Sequence, residues 1–413
     1  MKLTEKQLIQ VNRQVNRILD SNSFLKEVYQ KKGIKKINKQ EDFEKLPFIC
    51  KDDLRQAYPM GIKVVSDREV VRIHSSTGTT GIPVIIPYTA KDIKDWKNMF
   101  ARCYNIAGLS CEDRVQITPG YGLWTAGIGF QSGCEEIGAM AIPMGPGNTE
   151  KQIQMMKDLG TTVITATSSY ALVLAEEIQK KNIRDELKLQ KGIFGSEHWG
   201  ANMRKRIKEM LNIELYDIYG LTEIYGPGIG ISCKNGLGIH YWDDYVYIEI
   251  INPITGMPVK DGEEGEIVIT TLVKEAAPLI RFRTHDISRI IPGKCVCGCT
   301  YPRIDVIKGR SDDMFKVNGV NIFPSQIEEI LQRVVGVSSE YLVTIFYDKK
   351  NSRNVLKLDI EVDVGVVFRN LENEIRKTIK SYIGITPVIH LVPIGTLPRS
   401  EKKSKRVLDL RNQ

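Results

Sequence analysis

The chain has 413 residues, of which 42% are hydrophobic and 26% are charged. This length allows two or three domains and excludes a small scaffold held together by disulfides, and the composition excludes a disordered or fibrous protein. With 58 basic and 50 acidic side chains the net charge is +8, which favours anionic partners such as nucleotides. Nucleic acid is not an expected partner, because the basic residues are not interleaved with aromatic ones.

No apolar run approaches the roughly 18 residues of a membrane-spanning helix, so no membrane partner is expected. Residues 1–20 have the pattern of an amphipathic helix and not that of a signal peptide. We therefore expect a cytoplasmic protein, and we expect its eight cysteines to be reduced thiols.

The predicted elements start with a region of helical period that ends at the prolines of LPFICKDDLRQAYP. From residue 72 onward, strand-like segments (VVRIHSS, VQITPGYG, AMAIP and TTVITATSS) alternate with helical ones, among them 90–105 and 149–159. This alternation indicates parallel βαβ units. Between about residues 241 and 291 the strand patterns of YVYIEIINPITG, EGEIVITTL and LIRFRTHDISRII predict a β-rich subdomain.

The C-terminal part combines helices predicted at 325–334 and 368–383 with strands in YLVTIFY, NVLKLDIEVDV and PVIHLVPIG. The predicted fold class is therefore α/β. A large N-terminal domain (1–308) is built from parallel βαβ sheets and the β-rich subdomain. A small, mobile α+β domain (309–413) follows it.

A glycine loop, SSTGTTGIP at 75–83, follows a strand pattern and is predicted to precede a helix. Its two glycines let backbone N–H groups converge on an anion, and its hydroxyl groups add further donors, so the loop is suited to phosphate. It is not a Walker A loop, because the Gly-Lys-Ser/Thr ending is missing. A plain Ser/Thr-rich turn is the alternative.

The segment YDIYGLTEIYGPG offers an aromatic ring for adenine, a hydroxyl for phosphate and a carboxylate for Mg²⁺, in Tyr219, Thr222 and Glu223. Further along the chain, Asp286 in RFRTHD is suited to ribose hydroxyls, and Lys403 in PRSEKKSKR is suited to a phosphate. Buried packing is the alternative for the tyrosine segment, and a solvated tail is the alternative for the lysine run.

The order SSTGTTG, YGLTE, RTHD, GRSDD and PRSEKK resembles the adenylate-forming superfamily of acyl-CoA synthetases, adenylation domains and luciferases. LPFICKDDLRQAYP, GYGLWTAGIG, GSEHW and DDMFKVNGVNIFPSQIEEIL resemble the phenylacetate–CoA ligase family more narrowly, and the resemblance runs from about residue 46 to 408. It implies that a carboxylic acid attacks ATP to give acyl-adenylate and pyrophosphate. The small domain then rotates, and the thiol of CoA displaces AMP.

The resemblance also implies roles for single residues. Those that would grip the β- and γ-phosphates are Ser75, Ser76, Thr77, Gly78, Thr79, Thr80 and Gly81. Those on the adenine side are Gly195, Ser196, Glu197, Tyr219 and Gly220. Asp286 would hold ribose and Arg310 would lie near the nucleotide, while Glu223, with Thr222 beside it, would hold Mg²⁺. Asp312 matches the hinge, and Lys403 matches the mobile lysine that bridges the carboxylate and the α-phosphate.

The resemblance further implies that the N-terminal domain binds ATP and the acyl group, and that four aromatic residues line the pocket for an aryl acid similar to phenylacetate: Tyr121, Trp124, Phe130 and Tyr225. Core packing is the alternative for aromatic residues at such spacing. Cys233, His240, Cys295 and Cys297 offer soft ligands for a structural Zn²⁺, an arrangement that some relatives resemble, and free thiols are the alternative. Cys299 is left out of this set, because relatives often carry Arg in its place.

The sequence therefore predicts an AMP-forming acid–thiol ligase whose partners are a small-molecule carboxylic acid, ATP and CoA, in a monomer or homodimer. One alternative is an adenylating enzyme that passes the acyl group to an amine or a carrier protein, or that nucleotidylates a coenzyme, without CoA. Another alternative is a non-catalytic member that only binds its ligand, although the presence of Lys403 and Glu223 argues against it.

Overall fold

The computed structural model describes residues 2–34, 37–76, 81–236, 238–348, 353–363, 368–399 and 406–411. Within these ranges the helices are α1 (Glu5–Asp20), α2 (Phe24–Lys31), α3 (Gln40–Glu44), α4 (Lys51–Gln56), α5 (Ala90–Ile106), α6 (Ala126–Ile137), α7 (Thr149–Asp158), α8 (Ser168–Lys181), α9 (Ala201–Leu211), α10 (Pro324–Gln332) and α11 (Phe368–Ile383). The strands are β1 (Arg72–Ser75), β2 (Ile85–Tyr88), β3 (Arg114–Ile117), β4 (Met140–Pro143), β5 (Val163–Thr167), β6 (Lys191–Gly195), β7 (Glu214–Leu221), β8 (Gly226–Ser232), β9 (Ile239–Tyr241), β10 (Val246–Ile251), β11 (Gly265–Thr271), β12 (Phe282–Ser288), β13 (Ile290–Ile291), β14 (Arg303–Ile304), β15 (Gly309–Arg310), β16 (Phe315–Val317), β17 (Val320–Ile322), β18 (Val337–Asp348), β19 (Arg353–Val362), β20 (Val388–Pro393) and β21 (Val407–Asp409).

The first helix confirms the amphipathic pattern at the start of the chain. The Thr4 hydroxyl accepts the backbone N–H of Gln7 at 3.2 Å, and the Gln7 side chain accepts the Thr4 N–H at 3.0 Å, so the helix begins with a capping box. Val11, Val15 and Ile18 follow at helical spacing and are fully buried, so this face packs on the core. No helix of the described ranges is long and apolar enough to cross a bilayer.

A nine-stranded sheet forms the centre of the large domain, in the order β13-β14-β9-β8-β7-β6-β5-β3-β4. The five strands from β7 to β4 are parallel, and α6, α7, α8 and α9 connect them in turn, which confirms the predicted βαβ units. The next strand, β8, folds back antiparallel on β7, and β9, β14 and β13 continue the antiparallel part.

The glycine loop at 75–83 does not precede a helix, so that prediction was wrong. The loop joins β1 to β2, which pair antiparallel with Ser75 opposite Ile85. The following helix, α5, starts only at Ala90, because Thr89 caps it by accepting the backbone N–H of Asp92 at 3.1 Å. The apolar pair Ile85–Ile86 before this cap is extended and packs as a strand.

The predicted β-rich subdomain is a four-stranded antiparallel sheet in the order β10-β11-β12-β15. Its edge strand β15 pairs with β12 so that Arg310 lies opposite Asp286. Gly309 and Arg310, the first two residues of the predicted C-terminal domain, therefore still belong to this sheet.

Beyond β15, the chain forms the hairpin β16–β17 and a sheet in the order β20-β19-β18-β21, with α10 and α11 packed on it. The buried hydrophobic residues of this part, between Phe315 and Leu391, form a cluster of their own. Two other clusters fill the part of the chain before residue 305. Separate cores allow one part to move against the other as a body.

Candidate active site

A cavity of about 630 Å³ lies between the nine-stranded sheet, strands β12 and β15, and the C-terminal part of the chain. Nine residues predicted to bind nucleotide or to act in catalysis line it: Ser76, Ser196, Glu197, Tyr219, Gly220, Thr222, Glu223, Asp286 and Arg310. Residues without a predicted role also line it, among them Lys51, His198, Trp199, Arg204, Glu328 and Arg406. The fold thus collects polar groups from segments that are far apart in sequence.

The cavity lies where the nine-stranded sheet changes from parallel to antiparallel. Strand β6 ends at Gly195 and β7 ends at Leu221, so Ser196 and Thr222 leave the sheet at the same edge. In open α/β sheets, ligands bind outside the carboxyl ends of the strands. The topology alone therefore points to this edge as a binding site.

Two of the predicted glycines are required by close contacts between strands. A Cβ atom on Gly195 would lie 2.3 Å from the carbonyl oxygen of Ile218, and one on Gly220 would lie 2.1 Å from that of Gly226. No side chain fits at either position without separating the strands. Gly195 is absent from the described lining of the cavity, so the structure supports a packing role for it.

Ser196 and Glu197 are held firmly at the end of β6. Ser196 has a φ of 72°, in the left-handed region that a residue with a side chain adopts only when its surroundings impose it. A Glu197 carboxylate oxygen accepts the backbone N–H of Ser169 at 2.7 Å, which ties this turn to the start of α8. Strain at a cavity wall is typical of functional sites.

A chain of hydrogen bonds connects the predicted adenine, ribose and hinge residues. The Tyr219 hydroxyl donates to one oxygen of Asp286 at 2.7 Å, and Arg310 donates to the other at 3.2 Å. Arg310 also binds Asp312 through two hydrogen bonds of 2.8 Å. Burial alone would raise the pKa of Asp312, but the Arg310 guanidinium holds this pKa below its usual value. The predicted hinge residue is therefore tied to the cavity wall by an ion pair.

Glu223 lies deep in the cavity and faces a lysine that had no predicted role. Lys51, the first residue of α4, places its Nζ 2.9 Å from Oε1 of Glu223, whose side chain is only 6% exposed. The fully buried Lys274 donates to the carbonyl of the neighbouring residue Ile224, and burial lowers the pKa of Lys274 to about 7. A nearly buried carboxylate that binds a cation here is compatible with a Mg²⁺ ligand.

The structure describes the two ends of the predicted phosphate loop. The Ser76 hydroxyl accepts the backbone N–H of Val84 at 3.0 Å, and the Ser75 N–H donates to the carbonyl of Leu123 at 2.7 Å, so the loop starts from a fixed position. Gly81, at its far end, has a φ of 131°, which favours glycine. The predicted phosphate ligands Thr77, Gly78, Thr79 and Thr80 lie outside the described residues.

The four predicted aryl-pocket residues are absent from the described lining of the cavity. Phe130 is buried with its ring centre 5.3 Å from that of Phe100, and Tyr225 is fully buried beside Lys274. Both occupy core positions, so packing accounts for them. Tyr121 is half-buried and its hydroxyl has no hydrogen-bond partner among the described residues, whereas Trp124 is 49% exposed.

The C-terminal part closes one side of the cavity through α10 and β21. Nδ1 of His198 lies 2.6 Å from the carbonyl of Ile307, and Nε2 lies 3.2 Å from Glu328 of α10. Burial favours the neutral ring, but the Glu328 carboxylate raises the pKa of His198. The predicted catalytic Lys403 lies outside the described residues.

The predicted zinc ligands come together around Cys233, which directly follows β8, and His240 in β9. The ligand atoms of Cys233, His240, Cys295 and Cys297 all lie within 4.8 Å of one another. The two sulfurs of Cys233 and Cys295 are 3.8 Å apart, and Cys297 Sγ is 3.4 Å from His240 Nε2. Cys299 is not part of this group.

These distances fit the tetrahedral coordination of one zinc ion. Zn–S bonds of about 2.3 Å and a Zn–N bond of about 2.0–2.1 Å place two sulfurs about 3.8 Å apart and a sulfur and a nitrogen about 3.6 Å apart. His240 Nδ1 lies 2.9 Å from the carbonyl of Tyr301, so it donates there and leaves Nε2 as the ligand atom. Burial lowers the pKa of His240, which keeps the ring neutral as a metal ligand must be.

Comparisons with known proteins identify the family. Residues 4–272 match the AMP-binding enzyme family, and residues 319–411 match the AMP-binding enzyme C-terminal domain. The phenylacetate-coenzyme A ligase of Pseudomonas putida is 43% identical over 383 residues, which span 90% of this chain and 85% of that protein. The chain belongs to the phenylacetate–CoA ligase family. A family member from Escherichia coli K12 is 42% identical over 90% of this chain and 86% of its own length.

Solved structures of another CoA ligase share the fold of this family member. The 2-hydroxyisobutyryl-CoA ligase in the postadenylation state with 2-HIB-AMP has a TM-score of 0.87 at 25% identity, covering 98% of this chain and 89% of that one. The same ligase with 2-HIB-AMP and CoA in the thioesterification state has a TM-score of 0.70 at 26% identity, over 98% and 89% of the two chains. The fold is thus that of adenylate-forming CoA ligases with a separate C-terminal domain.

Proposed function

We propose that the protein is an ATP-dependent carboxylic acid–CoA ligase. In the first half-reaction a carboxylate oxygen of the acid attacks the α-phosphorus of ATP, and the bond to pyrophosphate breaks. In the second, the thiolate of CoA attacks the acyl carbonyl, and AMP leaves with the electrons of the broken bond. The observation that carries this proposal is that one cavity, at the carboxyl ends of the parallel strands, gathers nine of the residues assigned from the family motifs.

In this proposal, different cavity residues bind the adenine, the ribose and the phosphates of ATP. Tyr219 lines the adenine, Asp286 accepts hydrogen bonds from the ribose hydroxyls, and the loop from Ser76 onward binds the β- and γ-phosphates. Glu223 is the residue that would hold Mg²⁺, whose charge would offset that of the phosphates. Lys51 adds a positive charge where the phosphates are proposed to bind, because its ammonium group lies beside Glu223 in the cavity.

Lys403 is proposed to bridge the carboxylate and the α-phosphate during adenylation. Negative charge builds up at the α-phosphorus in the transition state, and a positioned ammonium group stabilises it. Removal of one such group commonly lowers the rate by about 10²–10³. This assignment rests on the family motif, since Lys403 lies outside the described residues.

We propose that the two domains are arranged as in the first half-reaction, in the state that still holds after adenylation and before the C-terminal domain rotates for thioester formation. The chain matches the postadenylation form of 2-hydroxyisobutyryl-CoA ligase with a TM-score of 0.87 and the thioesterification form with 0.70, although both comparisons cover 98% of the chain. The domain arrangement of this structure is therefore more similar to the postadenylation form of that ligase than to its thioesterification form. We assign residues 1–308 and 309–413 to the two domains, with the hinge near Asp312.

Acid-dependent exchange of labelled pyrophosphate into ATP tests the first half-reaction. We expect exchange in the wild type and its loss in Lys403→Ala, with thiolysis of supplied acyl-adenylate spared. The adjacent Lys402→Ala is the matched control and should keep exchange within about threefold. Equal loss of both half-reactions in Lys403→Ala would contradict the assigned role.

The acceptor and the acid are tested separately. CoA consumption coupled to AMP release is expected, as in the ligases of the same family, whereas exchange without CoA consumption would favour an amine, a carrier protein or a coenzyme as the acceptor. An aryl acid similar to phenylacetate is the proposed substrate, and a screen of aryl, aliphatic and amino acids in the exchange assay identifies it. The cytoplasmic location and the state as monomer or homodimer stay predictions.

A structural Zn²⁺ is proposed at Cys233, His240, Cys295 and Cys297. The distances between the ligand atoms and the hydrogen bond that orients His240 support it. The four residues are absent from the described lining of the cavity, so the ion would stabilise the fold and take no part in the reaction.

A further inference from the structure

One arginine near the C-terminus binds two carboxylates from different domains. Arg399 donates through Nε and Nη2 to the two oxygens of Glu176 on α8, at 3.1 and 2.9 Å. The side chains of Arg399 and Glu176 are only 16% and 22% exposed. A bidentate pair that is mostly withdrawn from water is stronger than an exposed ion pair and fixes a geometry.

The same guanidinium group is anchored within the C-terminal domain. Arg399 donates to both oxygens of the fully buried Glu361 on β19, each at 2.9 Å. Glu361 also accepts the backbone N–H groups of Gly395 and Leu397 at 3.0 and 2.9 Å, so it holds the whole turn that leads to Arg399. Arg399 and Glu361 therefore move together when the C-terminal domain rotates, while Glu176 stays behind.

A second arginine also forms an ion pair with Glu176. Arg206 on α9 places Nη2 2.8 Å from Oε1 of Glu176 and donates through Nη1 to the hydroxyl of Ser338 on β18 at 3.1 Å. Glu176 thus lies between two guanidinium groups. If its charge were removed, Arg206 and Arg399 would lose the carboxylate that they share across the domain boundary, and this arrangement of the domains would lose stability.

We propose that Glu176 is a positioning residue for adenylation, which holds the C-terminal domain in the arrangement that serves the first half-reaction by binding Arg399. Arg399 precedes Lys403 by four residues, and four residues span at most about 14 Å. A fixed Arg399 therefore keeps the α-carbon of the proposed catalytic lysine within that distance of the domain contact. The inference rests on the proposed function, because it assumes that the two half-reactions use different domain arrangements.

The test compares Glu176→Gln with Glu177→Gln. Glu177 is the next residue of α8 and pairs only with Lys180 at 3.6 Å among the described ion pairs, so it is a matched control outside the domain contact. For Glu176→Gln we expect pyrophosphate exchange to fall about tenfold, which is the usual size of one lost charged hydrogen-bond pair. Thiolysis of supplied acyl-adenylate should stay within twofold, and Glu177→Gln should keep both rates within twofold.

Glu176→Asp keeps the charge on a shorter side chain and should lie between the wild type and Glu176→Gln in exchange. An equal loss of exchange and thiolysis in Glu176→Gln would indicate damage to the fold and overturn the inference. Unchanged exchange in Glu176→Gln would overturn it as well.

Small-angle X-ray scattering provides a readout that does not depend on activity. The wild type and Glu177→Gln should match the scattering curve expected for the structure described above, whereas Glu176→Gln should depart from it. Identical curves for all three proteins would overturn the inference. Absence of exchange in the wild type would instead overturn the proposed function, and the scattering result would still decide whether Glu176 holds the domains together.

Discussion

Replacing Cys295 with serine should release the proposed zinc ion and destabilise the fold. Cys233 and Cys295 are separated by 62 residues, so an ion that binds both closes a long loop of chain. Cross-linking a loop of this length lowers the chain entropy of the unfolded state by an amount equivalent to about 4 kcal/mol at 25 °C. Residual structure in the unfolded chain reduces this entropy, so the figure is an upper limit.

The assay combines metal analysis with thermal unfolding. The wild type should contain about one zinc per chain, and Cys295→Ser should contain little zinc and unfold at a temperature lower by up to the order of 10 °C. A strong chelator should lower the unfolding temperature of the wild type to that of Cys295→Ser and should not change that of the variant. Cys299→Ser is the matched control, because Cys299 lies next to the cluster but outside it.

Two results would refute this reasoning. Less than about 0.2 equivalents of zinc in freshly purified wild type would exclude a structural ion. Equal destabilisation by Cys295→Ser and Cys299→Ser, without any response to the chelator, would assign the effect to thiol packing alone. Pyrophosphate exchange should continue in Cys295→Ser at temperatures where the variant is folded.

Three further predictions address the cavity and the hinge. Asp286→Ala should raise the KM for ATP by about 10- to 100-fold in the exchange assay, since it removes a charged acceptor for ribose, and an unchanged KM would reject this role. Asp312→Pro should stall the domain rotation while one half-reaction survives, and normal overall turnover would reject the hinge. Burial alone would raise the pKa of Glu266, but Arg283 lowers it to about 2 from an ordinary value of 4.5, so its stabilisation is present above pH 4.5 and is lost as the pH falls towards 2. The wild type should therefore lose about 3 kcal/mol of its free energy of unfolding relative to Glu266→Gln when the pH is lowered from 6 to 2. A difference between the two proteins that does not change with pH would contradict this.

The parallel part of the fold could be predicted because each strand and helix carries its own local pattern. Strand β8 was not predicted, because GPGIGIS contains residues that are unfavourable in strands. It forms because its glycines allow close packing: a Cβ on Gly228 would lie 2.9 Å from the ring of Phe100. Such a strand is stabilised by a partner from another part of the chain, which a local pattern does not reveal.

The same limit applies to the cavity. Tyr219, Thr222 and Glu223 could be found because they share one short motif, and Asp286 because it ends a strand pattern. Lys51 belongs to a segment that resembles the family, but only the packing of α4 brings it to Glu223. His198 gave no signal beyond its position next to Glu197, since its contact with Glu328 depends on how the domains meet.

The nine-stranded sheet ends in short strands on both sides. Its outermost strands are β13 with two residues and β4 with four, whereas β7 in the interior has eight. An exposed strand edge is a template for pairing with another chain, and its danger grows with the number of unpaired backbone groups that it presents. Because its border strands have only two and four residues, this large sheet offers little length for edge-to-edge aggregation while the protein is folded.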